Sequence, residues 1–207
     1  MQDAVARGIP SLLQSTANPV WTASCLPVGA GMPDLVAASY SPQVFALAQV
    51  ERSNPDLLAY LRGAGPVRIE TVAARVGISI RAATRQIGEL LTAEVILSVS
   101  ATAYALSPVW RDILPEIVTI EVKVADWQTA VAQAARNRIF SHRSFVALPG
   151  NVATRIRREK IVRQLGLGLI AVWPDRTVTL LRQPRRRRPV VWAYYYHIAS
   201  TLARSWR

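Results

Sequence analysis

Two stretches, Gly31-Met32-Pro33-Asp34-Leu35-Val36 and Ile120-Glu121-Val122-Lys123-Val124, decide the fold although they lie far apart in the sequence. Both have the apolar and β-branched residues of strands. Both also carry charged side chains where a buried strand would carry none. Glu121 and Lys123 are two residues apart, so on a strand they point to the same face. If the stretches pair, an aspartate, a glutamate and a lysine meet.

The composition is that of a globular protein with a sizeable core, since 51% of the 207 residues are hydrophobic and 18% are charged. The single cysteine, Cys25, excludes an internal disulfide, and with only two histidines a Cys/His metal cluster is also excluded. No apolar run is long enough to span a bilayer, and residues 1–4 do not begin a signal peptide, so we expect a cytoplasmic protein.

The positive charge is concentrated in the last third of the chain. Residues 1–135 hold 9 basic and 11 acidic residues, whereas residues 136–207 hold 16 basic residues, 15 of them arginine, and 2 acidic residues. Arginine binds phosphate oxygens through a forked pair of donors, so DNA is the expected partner. A basic solvated surface or a ribosome-like tail is the alternative. The expected DNA-binding positions in this region are Arg155, Arg157, Arg158, Arg185, Arg186, Arg187 and Arg188.

The first 40 residues predict a helix and a hairpin. Asp3–Gln14 has apolar residues at roughly helical spacing, and Val20–Leu26 and Asp34–Tyr40 are predicted strands. The glycine- and proline-rich turn between them favours a hairpin, with Asp34 near the start of its second strand.

Residues 54–110 differ in character and predict three helices followed by two short strands. Their expected extents are a helix from Pro55 capped by Asn54, Ile69–Val76, a helix from Ile80 to about Glu94 capped by Ser79, Val95–Ser100 and Thr102–Leu106.

This segment resembles the winged helix-turn-helix family. The resemblance rests on Thr71-Val-Ala-Ala-Arg-Val-Gly-Ile-Ser79, on inward positions in the third helix, and on the wing that ends in Tyr104-Ala-Leu-Ser-Pro108. In this family the third helix enters the major groove, which implies DNA contacts from the face opposite the inward residues. Those positions are Arg81, Thr84 and Arg85. Since the segment holds 5 basic and 4 acidic residues, a protein-docking or structural role stays open.

The remaining chain predicts alternating strands and helices. The expected elements are a strand over Val118–Val124, a helix from Trp127 to about Phe140 capped by Asp126, a strand over Ser144–Leu148, a basic helix over Ala153–Leu165, a hairpin of Leu167–Trp173 with Thr177–Leu181, and a final aromatic-rich element over Val190–Trp206. Trp192, Tyr194, Tyr195, Tyr196 and Trp206 could stack on bases or form a core or dimer contact.

With residues 41–117 set aside, the order helix, hairpin, strand, helix, strand resembles the PD-(D/E)XK nuclease superfamily. The resemblance rests on Pro33-Asp34 in the hairpin, Glu121-Val122-Lys123 on the next strand, and Gln133-Ala134 on the following helix. It implies an α/β fold with a mixed sheet flanked by helices and an inserted winged-helix domain. The expected domains are residues 1–45 and 115–207 for the two nuclease-like parts and 46–114 for the insert.

The resemblance implies phosphodiester hydrolysis at a Mg²⁺ (or Mn²⁺) site. Asp34, Glu121 and the backbone carbonyl of Val122 would hold the metal, and Lys123 would orient water or stabilise the developing charge. Gln133 would position Lys123, water or DNA. Asp112 and Glu116 are rival ligands, and His142 is expected in a loop.

The expected function is that of a DNA-binding protein acting as a Mg²⁺-dependent endonuclease on duplex DNA, with a homodimer favoured for duplex cleavage. The alternatives are a non-catalytic winged-helix transcriptional regulator on a nuclease-type scaffold, and a module whose arginine run binds RNA or a larger assembly. No membrane and no small-molecule cofactor are expected.

Overall fold

The computed structural model describes residues 1–12, 18–51 and 53–205, which form a mixed α/β protein. Gln14 and Trp206, the predicted ends of the first and last elements, lie outside the described residues. The chain divides into two compact units: unit 1 holds residues 1–40 and 115–190, and unit 2 holds residues 41–114 and 191–207.

The elements are numbered in chain order. The strands are β1 (Val20–Ser24), β2 (Leu35–Ser39), β3 (Val67–Arg68), β4 (Ile96–Ser100), β5 (Ala103–Leu106), β6 (Glu116–Val122), β7 (Arg143–Pro149), β8 (Gly168–Val172) and β9 (Val178–Arg182). The α-helices are α1 (Gln2–Leu12), α2 (Pro55–Gly63), α3 (Ile69–Val76), α4 (Ile80–Thr92), α5 (Trp127–Asn137), α6 (Gly150–Ile156), α7 (Lys160–Gln164) and α8 (Trp192–Arg204). Two 3₁₀ helices cover Pro42–Ala48 and Pro108–Asp112.

Unit 1 contains a six-stranded mixed sheet in the order β1-β2-β6-β7-β8-β9. The central strands β6, β7 and β8 are parallel, and the pairs β1·β2, β2·β6 and β8·β9 are antiparallel. Parallel strands need a long crossover between them. α5 supplies it between β6 and β7, and α6 with α7 supplies it between β7 and β8. The predicted pairing of the hairpin with the Glu121 strand is therefore confirmed.

The sheet of unit 1 buries apolar side chains on both faces, because helices cover each of them. α1 packs on one face through Val5 and Ile9, which lie in one cluster with Ile120 and Phe145. The other face carries a second cluster formed with α5, α6 and α7. Alternate residues of β7 and β8 supply the two clusters, as the period of two along a strand requires, whereas the apolar residues of β6 lie in the α1 cluster.

The predicted single helix over Ala153–Leu165 is wrong, since α6 and α7 are separate. Ala153 and Val162 are both fully buried in the same cluster. Nine residues on one continuous helix would turn them to opposite sides, at about 100° per residue. The break at residues 157–159 lets both helices face the sheet.

Unit 2 joins α2, α3 and α4 to a three-stranded antiparallel sheet in the order β3-β5-β4. The helix starts are those predicted: the side chain of Asn54 accepts hydrogen bonds from the N–H groups of Asp56 and Leu57, and Ser79 accepts one from Ala82. The end of α3 is also confirmed, because Gly77 adopts φ of 72°, a conformation that glycine tolerates well. The two ends of segment 41–114 lie together, since Ser41 N–H donates to Ile113 O at 2.9 Å.

The observed units differ from the expected domains in where the last helix belongs. Residues 191–207 were expected in the nuclease-like part, but they group with residues 41–114. The tyrosines of α8 explain the difference: Tyr195 Oη accepts from Leu114 N–H at 2.7 Å, and Tyr196 Oη donates to Trp110 O at 2.9 Å. Both tyrosines are almost fully buried, so they are core residues of unit 2 and are not available to stack on bases.

None of the described helices combines the length and apolar character that a bilayer crossing requires.

Gly168, at the start of β8, tests the packing of the unit 1 core. A Cβ atom added there would lie 2.2 Å from the ring of Phe145, a fully buried side chain. We expect Gly168→Ala to lower the free energy of unfolding by about 1–3 kcal/mol in urea titrations. Gly8→Ala, in α1 of the same unit, is the control, because its Cβ would meet Val178 at an ordinary 3.9 Å. The control should leave stability unchanged or raise it by up to about 1 kcal/mol. Equal effects of the two changes would contradict this packing.

Candidate functional site: an acid–lysine cluster

The register of β2 against β6 brings the two charged stretches together. Leu35 pairs with Ile120, so one further step along the antiparallel ladder sets Asp34 opposite Glu121. The backbone of Asp34 is held in place, because its carbonyl oxygen accepts hydrogen bonds from Cys25 N–H at 3.1 Å and from Gln2 Nε2 at 3.0 Å. The first part of the prediction, a shared location for Asp34 and Glu121, agrees with this geometry.

The Asp34 carboxylate is the centre of the cluster. Its Oδ2 atom accepts a hydrogen bond from Val122 N–H at 2.7 Å and lies 3.4 Å from Lys123 Nζ. It also lies close enough to the Glu121 side chain for its charge, and a hydrogen bond between the two groups, to raise the pKa of Glu121. The side chains of Asp34 and Lys123 are 24% and 30% exposed, so this side of the cluster is open to solvent.

Glu121 is the buried member of the cluster, with only 2% of its surface exposed. Burial raises its pKa to about 7, and the charge of Asp34 and the hydrogen bond to it act in the same direction. A hydrogen bond from Asn137 Nδ2 to Glu121 Oε1, 2.7 Å long, and the charge of Lys123 oppose the rise. Near neutral pH this carboxyl group is therefore poised between its protonated and ionised forms.

The structure places Asn137 of α5 against Glu121, whereas Gln133 was the predicted neighbour of the site. Gln133 lies one turn earlier on the helix, and its buried Oε1 atom makes no hydrogen bond to any described residue. Asn137 was missed because an asparagine near a helix end is typical of a cap. The sequence does contain a weak signal, since residues four apart on a helix share a face. The preceding hairpin turn also reaches this side chain: a Cβ on Gly31 would lie 3.7 Å from Asn137 Oδ1.

The expected metal ligands were Asp34, Glu121 and the carbonyl of Val122. Two carboxyl groups in contact are a donor set that fits Mg²⁺, which is commonly held by one or two carboxylates together with waters and phosphate oxygens. Burial is the main cause of the raised pKa of Glu121 and the charge of Asp34 adds to it, so a cation bound between the two carboxyl groups would favour the ionised form. The group of Val122 that touches the cluster is its N–H. Among the described residues, no set of three or more His, Cys, Asp or Glu side chains could hold a metal ion.

The rival acids are engaged elsewhere. Glu116 is buried at the start of β6 and accepts a hydrogen bond from Arg143 Nε at 2.7 Å. Asp112 is exposed in unit 2 and pairs with Arg62 at 3.6 Å. His142 was expected in a loop; it lies just before β7, is buried, and accepts a hydrogen bond from Ile117 N–H through Nδ1. That contact gives His142 a structural role in joining β6 to β7.

The predicted DNA-binding side chains are exposed within their own units. In unit 2, Arg81, Thr84 and Arg85 face outward from α4, whereas Ala83 and Ile87 are buried. In unit 1, the exposed positions are Arg155, Arg157, Arg158, Arg185, Arg186, Arg187 and Arg188. The last of these form an extended segment along unit 1, tied by Arg185 N–H to Gly166 O and Arg187 N–H to His142 O, each 2.9 Å long.

The pKa of Glu121 predicts a specific pH dependence of stability. Its pKa is higher in the folded chain than the usual 4.5, so the folded state binds this proton more tightly and loses stability as pH rises from about 4.5 to about 7. Glu121→Gln keeps an oxygen for Asn137 and cannot titrate. In EDTA, we expect the free energy of unfolding of the variant to increase relative to that of the wild type as the pH rises. The difference should reach up to about 3 kcal/mol at about pH 8, measured by urea unfolding.

Glu159→Gln is the matched control, since Glu159 is an exposed carboxylate of the same unit whose side chain caps no helix. Its difference from the wild type should stay constant across the pH range. A Glu121→Gln difference that is equally flat would contradict a buried, proton-holding carboxyl group.

Known proteins give no further guide to this site. Comparisons of the chain with protein-family models, with curated proteins and with solved structures each produced no match. The function is therefore inferred from the contacts of the acid–lysine cluster and from the charge of the surfaces described above.

Proposed function

We propose that the chain is a metal-dependent DNA endonuclease of the PD-(D/E)XK type. The observation that carries the proposal is the acid–lysine cluster, in which Asp34 touches both Glu121 and Lys123. These residues come from chain segments on either side of residues 41–114, and the β2·β6 register unites them. An acid pair with an adjacent lysine is the set that phosphodiester hydrolysis assisted by a metal requires.

The order of elements in unit 1 supports the same proposal. α1, the β1–β2 hairpin, β6, α5 and β7 follow one another in the order expected for this superfamily once residues 41–114 are set aside. The acids lie on the hairpin and on β6, the positions that the resemblance implies. Gln133 has no contact with the acids among the hydrogen bonds of the described residues, and Asn137 takes the neighbouring position.

Each member of the cluster has a separate chemical task. Asp34 and Glu121 would hold Mg²⁺, which supplies positive charge to a phosphate oxygen and lowers the pKa of a bound water. Asn137 fixes the Glu121 carboxyl group by donating to Oε1. Lys123 is partly exposed beside Asp34, where its ammonium group can neutralise charge that develops on a phosphate. Glu121 must lose its proton to bind a cation, so the affinity for Mg²⁺ should rise as the pH increases through about 7.

DNA is the proposed substrate because of the charge of unit 1. Within unit 1, residues 136–190 carry 14 basic and 2 acidic residues, and the arginines at 155, 157, 158 and 185–188 are exposed. Phosphate contacts of this kind supply affinity without sequence preference and weaken steeply with salt. The basic surface would therefore bind the phosphate backbone of DNA, while the acid–lysine cluster would hydrolyse the phosphodiester bond.

Removal of a cluster side chain tests the proposal directly. We expect Asp34→Ala and Lys123→Ala to reduce Mg²⁺-dependent cleavage of duplex DNA at least about 100-fold, because each removes charge at the reacting phosphate. DNA binding, measured by fluorescence anisotropy in EDTA, should stay within about twofold of the wild type for Lys123→Ala, since one contact among many is lost.

The control for cleavage is again Glu159→Gln, which removes a carboxylate outside the cluster. It should cleave at the wild-type rate. Metal-independent binding with no cleavage of duplex, single-stranded, methylated or branched DNA by the wild type would contradict the nuclease proposal.

A second function, that of a winged-helix regulator, is favoured by one observation in unit 2. α4 follows α3 after a tight turn and presents Arg81, Thr84 and Arg85 to solvent, while its apolar side is buried. A helix of this kind can enter the major groove and read base edges.

Truncating a side chain on the exposed face of α4 tests whether this helix reads the base sequence. If unit 2 reads sequence, Arg81→Ala should weaken binding to a selected duplex at least about tenfold and leave binding to random duplex nearly unchanged. Arg75→Ala, on the neighbouring helix α3 and also exposed, is the matched control. Equal affinity for all duplexes, unaffected by Arg81→Ala, would exclude base reading by α4.

A further inference from the structure

Four arginine side chains line one depression of unit 1, with a volume of about 510 Å³: Arg157, Arg158, Arg163 and Arg182. They come from three elements that the chain brings together, namely the α6–α7 break, α7, and the end of β9. We call this depression the arginine pocket. In the part of the chain that the structure describes, none of the four pairs with a carboxylate, and none of the lining residues is acidic.

The pocket is held in shape by a hydrogen bond between two of its members. Arg182 Nη2 donates to the backbone oxygen of Arg157 at 2.8 Å, which fixes the guanidinium group of Arg182 at the pocket. The Nε atom of the same group is buried and makes no hydrogen bond to any described residue. A buried N–H without an acceptor costs free energy, so this part of the pocket wall is not fully satisfied by the described residues.

The strand register places the arginine pocket on the same face of the sheet as the acid–lysine cluster. Glu121, Val146, Leu169 and Arg182 pair in succession across β6, β7, β8 and β9. Residues paired in this way point to one face, and three strand spacings amount to about 14 Å. The pocket is therefore separate from the acid–lysine cluster and lies near the proposed site of cleavage.

We propose that the arginine pocket binds a dianionic phosphate group. Guanidinium groups bind phosphate oxygens through forked, charge-assisted hydrogen bonds. An internal phosphodiester carries one negative charge, whereas a phosphomonoester carries about 1.5 to 2 near pH 7 and offers three oxygens. The dianion thus matches a pocket with four uncompensated positive charges better than the DNA backbone does. The phosphate group is either that of a phosphorylated DNA strand end or free phosphate. The assignment to a strand end rests on the proposed nuclease function.

The test compares short oligonucleotides that differ only at their ends. The full chain is titrated in EDTA, where no cleavage occurs, with fluorescent single strands bearing a 5′-phosphate, a 3′-phosphate or only hydroxyl groups. We expect a phosphorylated end to bind at least about tenfold more tightly than the hydroxyl form, as charge-assisted hydrogen bonds imply. Arg163→Gln and Arg182→Gln should each reduce this preference to less than about twofold.

The control is Arg136→Gln, an exposed arginine of α5 in the same unit that neither lines the pocket nor is one of the predicted DNA-binding positions, which should keep the full preference. Arg163→Gln leaves the Arg182–Arg157 hydrogen bond in place, so its effect is independent of any loss of structure at Arg182. Equal binding of the three strands, together with no binding of inorganic phosphate detected by ³¹P NMR, would overturn the proposal.

Competition distinguishes the two sources of the phosphate. If inorganic phosphate displaces the phosphorylated strand as effectively as an unlabelled phosphorylated strand does, the ligand is a free phosphate; if only the strand competes, it is a strand end. Either result supports a site for a dianionic phosphate group. These titrations need no metal, so a protein that does not cleave DNA can still show the preference for phosphorylated ends. Conversely, absence of this preference would not contradict the nuclease proposal, which depends on the acid–lysine cluster.

Discussion

The antiparallel pairing of β2 with β6 is the contact on which unit 1 depends. With Leu35 opposite Ile120, it joins the β1–β2 hairpin to the parallel strands and makes one continuous sheet from segments on either side of residues 41–114. The same register fixes the charged residues one step beyond. A slip by one residue would turn the apolar side chains of β2 to the wrong faces and would separate Asp34 from Glu121. Fold and candidate site therefore share a single structural determinant.

The cluster at the end of this ladder is unfavourable in isolation, and its neighbours reduce the cost. Glu121 loses hydration and faces a second carboxylate, which is why its pKa is raised to about 7. Asn137 and Lys123 provide partial compensation through a hydrogen bond and a positive charge. An apolar pair at these positions would make a more stable sheet. Residues that lower stability in this way are typical of functional sites, where strain is retained for chemistry.

Sequence patterns predicted the local structure well and the long-range packing less well. The caps at Asn54, Ser79 and Asp126 are set by the chain within a few residues, so they could be read directly. The break between α6 and α7 depends on which sheet face both helices share, and the place of α8 depends on the backbone partners of its tyrosines. Asn137 reaches Glu121 only through the α5 crossover. None of these partners is visible in a local window of sequence.

The hydrogen bond between Ser41 N–H and Ile113 O has a consequence for how unit 1 can form. Closing a disordered loop as long as residues 41–114 would cost roughly 2–3 kcal/mol more in chain entropy than closing a turn of a few residues. A folded insert with adjoining ends removes most of that difference, because its two ends are already held together and it then acts as a short connection. Segment 41–114 can thus vary in length at little cost to the sheet, provided that Ser41 and Ile113 stay together.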